Sequence, residues 1–269
     1  MKKVLIGTPV YQGAHPNFIS SVDAMILAGG KQGFAIKPRI VTGSLLCHLR
    51  NAIAADFYYN HPDADILFWI DSDEQWEPCD AMAVLEATAK LPIVAGCYRI
   101  KPRSIDDLPW EEIAEAAKHD MKPRELQFIG QRFTFGFLPE DISPSDGYVG
   151  PTKTSFGRKM VRVAYAGTGF LAITREALGA IIEDAPKVNG GDRSVRTPLP
   201  IIFNNLVSDD KFDGEDAYFC HLARKKGLEI WLDTECAIDH YGIVAVRGSL
   251  KDEWLGDFAR REAKERAVR

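Results

Sequence analysis

The chain has 269 residues, of which 46% are hydrophobic, so it can bury the core of one large α/β domain or two small ones. Its 33 lysines and arginines against 38 aspartates and glutamates give a formal charge of −5, which disfavours a protein whose whole surface binds nucleic acid. The five cysteines show no CxxC or CxxH spacing, so we predict reduced thiols and a cytoplasmic location rather than a disulfide framework or zinc site. No apolar run approaches the roughly 18 residues of a membrane-spanning helix, so we expect no membrane insertion.

The first half of the chain alternates strand and helix signals, which is the pattern of a parallel sheet with helices on its faces. The patterns predict strands at residues 4–8, 38–42, 66–70 and 93–98, and helices at residues 18–28, 44–59 and 81–90. Gly29 and Gly30 end the first helix, and Pro92 separates the third helix from the strand that follows it.

The alternation stops after residue 99. Residues 100–160 combine one predicted helix, at 110–118, with proline, glycine and aromatic residues that follow no regular period, which indicates an irregular insertion or lid. Regular patterns then return: two strand segments around a glycine turn in 161–174, a helix at 176–182, a loop at 186–200, a helix at 214–226, strands at 230–232 and 237–238, and a charged C-terminal helix at 249–269.

Two carboxylates directly follow the most apolar strand, in the segment ILFWIDSDEQWEP of residues 66–78. The run of large apolar residues is typical of a strand that is covered on both faces, and ligands of open α/β sheets bind beyond the carboxyl ends of such strands. Asp71 and Asp73 can turn toward one point, and oxygen donors of this kind suit a divalent cation that also binds substrate phosphates. The alternative is that both aspartates only end the strand and cap the helix that begins near Asp80.

Two later groups could join this site. Glu215 and Asp216 stand at a predicted helix start, where the helix dipole favours anions and a general base can be placed, although a helix cap explains the same pair. His240 follows a strand and precedes Tyr241-Gly242, a context in which histidine is either a metal ligand or an ordinary surface or core residue.

One segment is locally basic. Residues 151–163 contain Lys153, Arg158, Lys159 and Arg162 and no acidic residue. Such a segment could close over a diphosphate or attract an anionic acceptor, and the alternative is a solvated charged loop.

The order of these features resembles family 2 and related glycosyltransferases of the GT-A fold. The resemblance rests on the strand-terminal DSD, AGTGFLAITREAL at 166–178, GEDAYFCHLARKKGLEIWLD at 214–233 and DHYG at 239–242, and it spans nearly the whole chain outside residues 100–160. It implies a single GT-A-like (Rossmann-like) α/β domain over residues 1–248, with a mostly parallel sheet, helices on both faces and an irregular insertion. Its parts would be a nucleotide-binding half (1–99), the insertion or lid (100–160) and an acceptor half (161–248), followed by the C-terminal helix (249–269).

The resemblance also implies roles for individual residues. A divalent metal, Mn²⁺ or Mg²⁺, would bind at Asp71 and Asp73, with His240 completing the site. The nucleotide would contact residues at the ends of the first strands and on the second helix, namely Thr8, Pro9, Tyr11, Arg50, Asn51, Asp71 and Ser72. The acceptor side would be shaped by Gly167, Thr168 and Gly169, and the pair Glu215-Asp216 would be catalytic, with Asp216 deprotonating the acceptor.

The implied reaction is transfer of a sugar from a nucleotide-diphosphate sugar to an acceptor hydroxyl, by an enzyme of the hexosyltransferase class. A UDP-sugar is the favoured donor, and the acceptor is a glycan, a protein or a modified nucleic acid. With Asp216 as base, in-line displacement would invert the anomeric configuration. The alternatives are a retaining GT-A transferase, a sugar nucleotidyltransferase, and a non-catalytic carbohydrate- or metal-binding module. Residues 8–13 lack the arginine and lysine expected of a nucleotidyltransferase.

Overall fold

A computed structural model describes residues 1–11, 13–101, 109–118, 133–189, 198–208 and 211–242. The α-helices are α1 (Pro16–Lys31), α2 (Leu46–Ala55), α3 (Pro78–Ala87), α4 (Trp110–Ala117), α5 (Arg175–Asp184) and α6 (Glu215–Lys225). A π-helical turn, Asp56–Asn60, continues α2, and Pro139–Asp141 form a short 3-10 helix. The strands are β1 (Lys2–Val10), β2 (Phe34–Thr42), β3 (Ile66–Ile70), β4 (Glu74–Trp76), β5 (Ile93–Tyr98), β6 (Phe135–Gly136), β7 (Ile142–Ser143), β8 (Gly147–Tyr148), β9 (Thr152–Ser155), β10 (Arg158–Val163), β11 (Tyr165–Ala166), β12 (Phe170–Thr174), β13 (Lys187–Asn189), β14 (Pro198–Pro200), β15 (Leu206–Ser208), β16 (Lys211–Asp213) and β17 (Ile230–His240). The predicted C-terminal helix at 249–269 lies outside the described residues.

The main sheet has the strand order β2-β1-β3-β12-β5-β17-β10-β9, and β4 pairs with the end of β17. Strands β1, β2, β3, β5 and β17 run in one direction, and β12 is antiparallel to its neighbours β3 and β5. Strands β10, β9 and β4 add further antiparallel pairs around β17. The predicted α/β class is therefore confirmed, with a mixed sheet in which five strands share one direction.

The two faces of the sheet carry separate hydrophobic cores. In β3, Leu67 and Trp69 pack with residues of α2, α5 and α6, whereas Phe68 and Ile70 pack with residues of α1 and α3. This alternation follows from the pleat of a strand, which turns successive side chains to opposite faces. Because helices cover both faces, every residue of β3 is buried, as its apolar run predicts. Within the described residues, no helix has the length and hydropathy needed to cross a bilayer.

Several element bounds differ from the sequence-based prediction. Strand β2 begins at Phe34 and tolerates Pro38 because it is an edge strand, where a missing N–H breaks no inner pairing. Helix α3 begins at Pro78, since proline suits the first turn of a helix, and ends at Ala87. The two strands predicted in 230–238 form the single strand β17, because it pairs with β5, β10 and β4 along its length. The short strand β4 was not predicted, and the predicted loop at 186–200 contains the pair β13–β14.

The basic segment 151–163 is a hairpin of the main sheet, not a solvated loop. Phe156 and Gly157 have positive φ angles of 51° and 79°, which suit a tight two-residue hairpin turn. The regular fold therefore resumes at β9, within the segment that the sequence analysis assigns to the insertion.

The arginines of this hairpin are paired inside the fold. Arg158 bridges Asp80, at 2.6 Å, and Asp233, at 3.0 Å. Arg162 forms a bidentate pair with Asp141, at 2.7 and 2.9 Å. These charges are thus used in structural ion pairs rather than held ready for a phosphate.

Candidate active site at the carboxyl edge of the sheet

The predicted site residues converge at one edge of the main sheet. Strands β1, β3, β5 and β17 all end there, because they run in the same direction. The antiparallel strand β12 begins at this edge with the loop Gly167–Gly169 before it, and Arg50 of α2 connects Asp71 at the end of β3 to Asp216 in the first turn of α6. Strand ends and loops from both halves of the sequence therefore meet where open α/β sheets bind their ligands.

The backbone of the DSD motif is fixed by three distant segments. Asp71 N donates to the Gly169 carbonyl at 2.8 Å, and the Ser72 carbonyl accepts from His15 N at 2.7 Å. The Asp73 carbonyl accepts from Tyr241 N at 2.8 Å. Each residue of the motif is thus held by a different part of the chain, which fixes the backbone that carries the two carboxylates.

Arg50 is the buried centre of the site. Its Nη2 donates to both oxygens of Asp71, at 2.9 and 3.1 Å, and its Nη1 donates to Asp216 Oδ1. Burial alone would lower the pKa of Arg50, but the carboxylates of Asp71 and Asp216 outweigh burial and raise it. Burial raises the pKa of Asp71, and the charge of Arg50 opposes that increase. The guanidinium therefore joins the predicted metal motif at the end of β3 to the predicted catalytic pair at the start of α6.

Asp216 is oriented through one of its oxygens. Oδ1 accepts from Arg50 Nη1, from the Thr168 hydroxyl and from Thr168 N at 3.2 Å. Among the described residues, no donor bonds Oδ2, and the side chain is partly exposed. The neighbouring Glu215 is 3.9 Å from Arg50, and burial followed by repulsion from Asp216 raises its pKa. The loop predicted for the acceptor side thus supplies Thr168 to hold the predicted base.

Asp73 and His240 form a second group. His240 Nδ1 lies 2.7 Å from the Arg99 carbonyl, which leaves Nε2 facing Asp73 Oδ1 at 3.7 Å. Burial lowers the pKa of His240, although the bond to Arg99 opposes this effect. Asp73 Oδ2 is paired with the ammonium of Lys101.

The arrangement meets part of what a divalent cation requires. In the part of the chain that the structure describes, no three His, Cys, Asp or Glu side chains are grouped closely enough to hold a metal. Two donors are nevertheless in place, because ligand distances of about 2.0–2.2 Å bring ligands of one ion within roughly 4 Å of each other. Mg²⁺ is typically bound by one or two carboxylates together with water and substrate phosphates. The pair Asp73–His240 therefore fits an ion whose other ligands come from solvent and donor, whereas Asp71 is engaged by Arg50.

One further carboxylate at the site, Glu74, was not predicted. It is fully buried, and neither oxygen has a hydrogen-bond partner among the described residues. Burial, and then the charges of Asp71 and Asp73, raise the pKa of Glu74 well above its usual range. A side chain at Gly169 would come within 2.5 Å of Glu74 Oε1, 2.7 Å of Tyr98 Oη and 2.8 Å of Asp71 Oδ2, so this glycine lets three polar groups meet. The only sequence signal for Glu74 is its position directly after the DSD motif.

The residues predicted to contact the nucleotide are placed unequally. Thr8 and Pro9 are buried at the end of β1, whereas Tyr11 is 69% exposed beyond it. Ser72 is buried, with its hydroxyl 3.5 Å from the Gly13 carbonyl. Asn51 is buried and bonds the backbone of residues 202–203 through both ends of its amide, at 2.8–3.0 Å. Arg50 and Asn51 thus lie behind the surface of the site, because they hold the carboxylates and the 202–203 segment, and contact with a nucleotide stays a prediction for both.

Aromatic and amide side chains join the start of α1 to the residues that follow β17, beside Asp73. His15 and Tyr241 stack with ring centroids 4.0 Å apart, and Asn17 Nδ2 donates to Gln75 Oε1 and to Tyr241 Oη at 2.7 Å each. These contacts could not be predicted from the sequence, because no local pattern relates the start of α1 to the end of β17.

Comparisons with known proteins give matches only among solved structures. No protein-family model matches the sequence, and no curated protein matches it. A crystal structure of a protein from STIV is 15% identical, with a TM-score of 0.47, and the match covers 93% of this chain and 100% of the other. The catalytic domain of Drosophila beta1,4galactosyltransferase 7, in complex with xylobiose, is 11% identical, with a TM-score of 0.44 over 94% of this chain and 79% of the other. GalNAc-T7 with UDP, GalNAc and Mn²⁺ is 9% identical, with a TM-score of 0.48 over 91% of this chain and 44% of the other. All three TM-scores lie below 0.5, so these similarities are distant.

Proposed function

We propose that this chain is a metal-dependent glycosyltransferase that moves a sugar from a nucleotide-diphosphate sugar to an acceptor hydroxyl. The observation that carries the proposal is the junction made by Arg50, which holds Asp71 at the end of β3 and Asp216 at the start of α6. The carboxylate motif that would bind the metal and the candidate base thereby share one edge of the sheet. The order of the sequence motifs, which resembles GT-A glycosyltransferases, supports the same assignment.

The donor side would be organised by Asp73 and His240, with Asp71 as the remaining predicted ligand. These residues would hold Mn²⁺ or Mg²⁺, which supplies charge neutralisation for the diphosphate leaving group. The backbone bonds to Gly169, His15 and Tyr241 fix the motif before any substrate arrives. Such a fixed site needs little reorganisation when negative charge develops on the leaving group.

The acceptor side would be organised by Asp216. Because Arg50 and Thr168 hold Oδ1, Oδ2 is left to accept the proton of the acceptor hydroxyl. The acceptor oxygen then bonds to the anomeric carbon while the bond from that carbon to the diphosphate oxygen breaks. The two events occur on opposite faces of the carbon, so we propose an inverting transfer.

The base of the donor would lie near the end of β1. Tyr11 presents an exposed ring there, beside the buried Thr8 and Pro9, and an aromatic ring can stack on a nucleobase. We favour a UDP-sugar as donor and a glycan, protein or modified nucleic acid as acceptor. In this assignment residues 1–99 serve the nucleotide and residues 161–248 the acceptor.

The proposal is tested by measuring release of nucleoside diphosphate from a panel of nucleotide sugars in the presence of Mn²⁺, with water, a glycan, a protein or a nucleic acid as acceptor. Asp216→Asn keeps an oxygen for Thr168 but removes the base, so we expect at least a hundredfold lower turnover with donor affinity nearly unchanged. Asp184→Asn is the matched control, because Asp184 pairs with Lys226 on the exposed end of α5. Anomeric analysis of the product separates inversion from retention. Donor binding without turnover, in a folded protein and across the panel, would contradict the proposal and favour a binding module.

A further inference from the structure

A lysine side chain, Lys101, places its positive charge beside the proposed metal ligands Asp73 and His240. The Lys101 ammonium is paired with Asp73 Oδ2, while Oδ1 of the same carboxylate faces His240 Nε2 at 3.7 Å. Asp73 is 41% exposed and Lys101 is 30% exposed, so the pair lies at the mouth of the site, where a solute can reach it. No sequence pattern marks Lys101 as a residue of the site.

The fold directs Lys101 to this position. Lys101 follows the end of β5 by three residues, and its aliphatic stem lies against Gly242, just after the end of β17. A Cβ atom at Gly242 would be 2.8 Å from Lys101 Cδ and 3.5 Å from Cγ. The absence of a side chain at Gly242 therefore leaves the space in which the lysine stem reaches Asp73.

The ammonium and a divalent cation would compete for the same carboxylate. An ion bound by Asp73 and His240 needs the negative charge that Lys101 now neutralises, and two cations this close repel each other. Arg50 has two carboxylate partners, Asp71 and Asp216, so it keeps a counter-charge even where one of them turns to a metal. Lys101 is partly exposed on a flexible stem and can move at small cost.

We propose that Lys101 is a displaceable counter-ion of Asp73. It occupies the carboxylate while no divalent cation is bound, lowers the affinity of the empty site for that cation, and on displacement is free to pair with a phosphate of the donor. The pairing of the displaced Lys101 with a donor phosphate, which is the donor part of the proposal, rests on the proposed function. The competition with the metal concerns only Asp73, His240 and Lys101. The device would make the site bind metal best when a phosphate is present to accept the displaced ammonium.

The decisive experiment is a titration of metal-stripped protein with Mn²⁺ in the absence of nucleotide, followed by electron paramagnetic resonance or calorimetry. Lys101→Met keeps the stem and removes the charge, and we expect Mn²⁺ to bind about two- to fivefold more tightly, the size of an exposed ion pair. Lys3→Met is the matched control, because it changes the net charge equally. Lys3 lies at the start of β1, at the opposite edge of the sheet from the site, where it pairs with Asp63. Unchanged or weaker Mn²⁺ binding by Lys101→Met would overturn the inference.

A second variant tests the same idea without changing charge. Gly242→Ala places a methyl group against the lysine stem, whose far end can shift, so Mn²⁺ should again bind more tightly than to wild type, by a smaller factor. A merely structural role for Lys101 predicts weaker Mn²⁺ binding in both variants.

The donor part is measured separately, with UDP and uridine at saturating Mn²⁺. Lys101→Met should weaken UDP binding severalfold while leaving uridine unchanged, because only UDP carries phosphates. Equal UDP affinity in wild type and Lys101→Met would overturn the donor part. A wild type that binds no nucleoside diphosphate would overturn the donor part together with the proposed function, while the Mn²⁺ comparison would still decide the competition.

Discussion

Removing the charge of Arg50 tests the physical basis of the site. Arg50→Met keeps most of the buried stem but deletes the guanidinium that bonds Asp71 twice and Asp216 once. Breaking a buried ion pair from one side costs about 3–5 kcal/mol, because the partner is left without its counter-charge. Asp71 and Asp216 are 20% and 28% exposed and can gain some water, which places the cost near the lower limit. We therefore expect the free energy of unfolding to fall by about 3 kcal/mol at pH 7.

The pH dependence of this loss adds a second criterion. Burial already raises the pKa of Asp71 in the folded protein, and losing Arg50, which opposes that effect, raises it further. A carboxyl group with a raised folded-state pKa binds more protons when folded, so stability falls as pH rises from its unfolded pKa, about 3.9, to its folded pKa. The variant has the higher folded pKa, so its deficit relative to wild type should be larger at pH 8 than at pH 5.

The assay is urea denaturation of metal-free protein at pH 5, 7 and 8. Arg39→Met is the control, since Arg39 makes an exposed pair with Asp56 at 2.7 Å and its loss should cost less than about 1 kcal/mol. Adding Asp71→Asn to Arg50→Met should restore part of the lost stability, because one uncompensated carboxylate is removed. A deficit below about 1 kcal/mol at pH 7, or one that grows toward acid pH, would refute the reasoning.

Three further substitutions test other parts of the account. Gly169→Ala brings a methyl group within 2.5 Å of Glu74 Oε1 and 2.8 Å of Asp71 Oδ2. The affinity for UDP and Mn²⁺, measured by calorimetry, should therefore fall at least about tenfold, or roughly 1.4 kcal/mol. Gly30→Ala is the control, because its methyl group meets open space in α1 and should leave the affinity unchanged. Glu74→Gln removes a buried carboxyl group that has no hydrogen-bond partner among the described residues. Because the pKa of Glu74 is raised, the wild type loses stability as pH rises above about 4.3, whereas the variant does not. By urea denaturation, the variant should therefore be at least about 1 kcal/mol more stable than wild type at pH 8 and no more stable at pH 4. Asn51→Ala removes three hydrogen bonds to the 202–203 backbone and should lower the free energy of unfolding by about 2–3 kcal/mol. Asn60→Ala loses one exposed hydrogen bond to Asp56 and should lower it by less than about 0.5 kcal/mol. Similar losses in the two variants would contradict the assigned role of Asn51.

The sequence predicts the parts of the site that depend on local pattern. The apolar run before Asp71 predicts a buried strand, and both are where the pattern places them, at the carboxyl end of β3. The first-turn position of Glu215 and Asp216 is likewise a local signal that the structure confirms. Because parallel strands end at one edge, the meeting of these groups also follows from the α/β prediction.

The remaining contacts depend on tertiary structure. Arg50 lies on a helix whose pattern marks it as polar, yet it is buried, because two carboxylates from distant elements compensate its charge. Glu74 is buried because β4 pairs with the end of β17, and no periodic signal marks a three-residue strand. Arg158 reads as part of a charged loop, but Asp80 and Asp233, which neutralise it, lie on α3 and β17. In each case a distant partner decides whether a charge is buried.

The central claim is that Asp73 takes part in a metal-dependent nucleotide site. It is tested most directly by calorimetric titration of the protein with a panel of nucleoside diphosphates, each with and without Mn²⁺, on wild type, Asp73→Ala and the control Asp63→Ala. Asp63 pairs with Lys3 at the opposite edge of the sheet, so its loss should leave binding unchanged. We predict that one nucleoside diphosphate binds only with Mn²⁺ and that Asp73→Ala abolishes this binding. Folded wild-type protein that binds none of them with Mn²⁺, or binding that survives in Asp73→Ala, would contradict the claim.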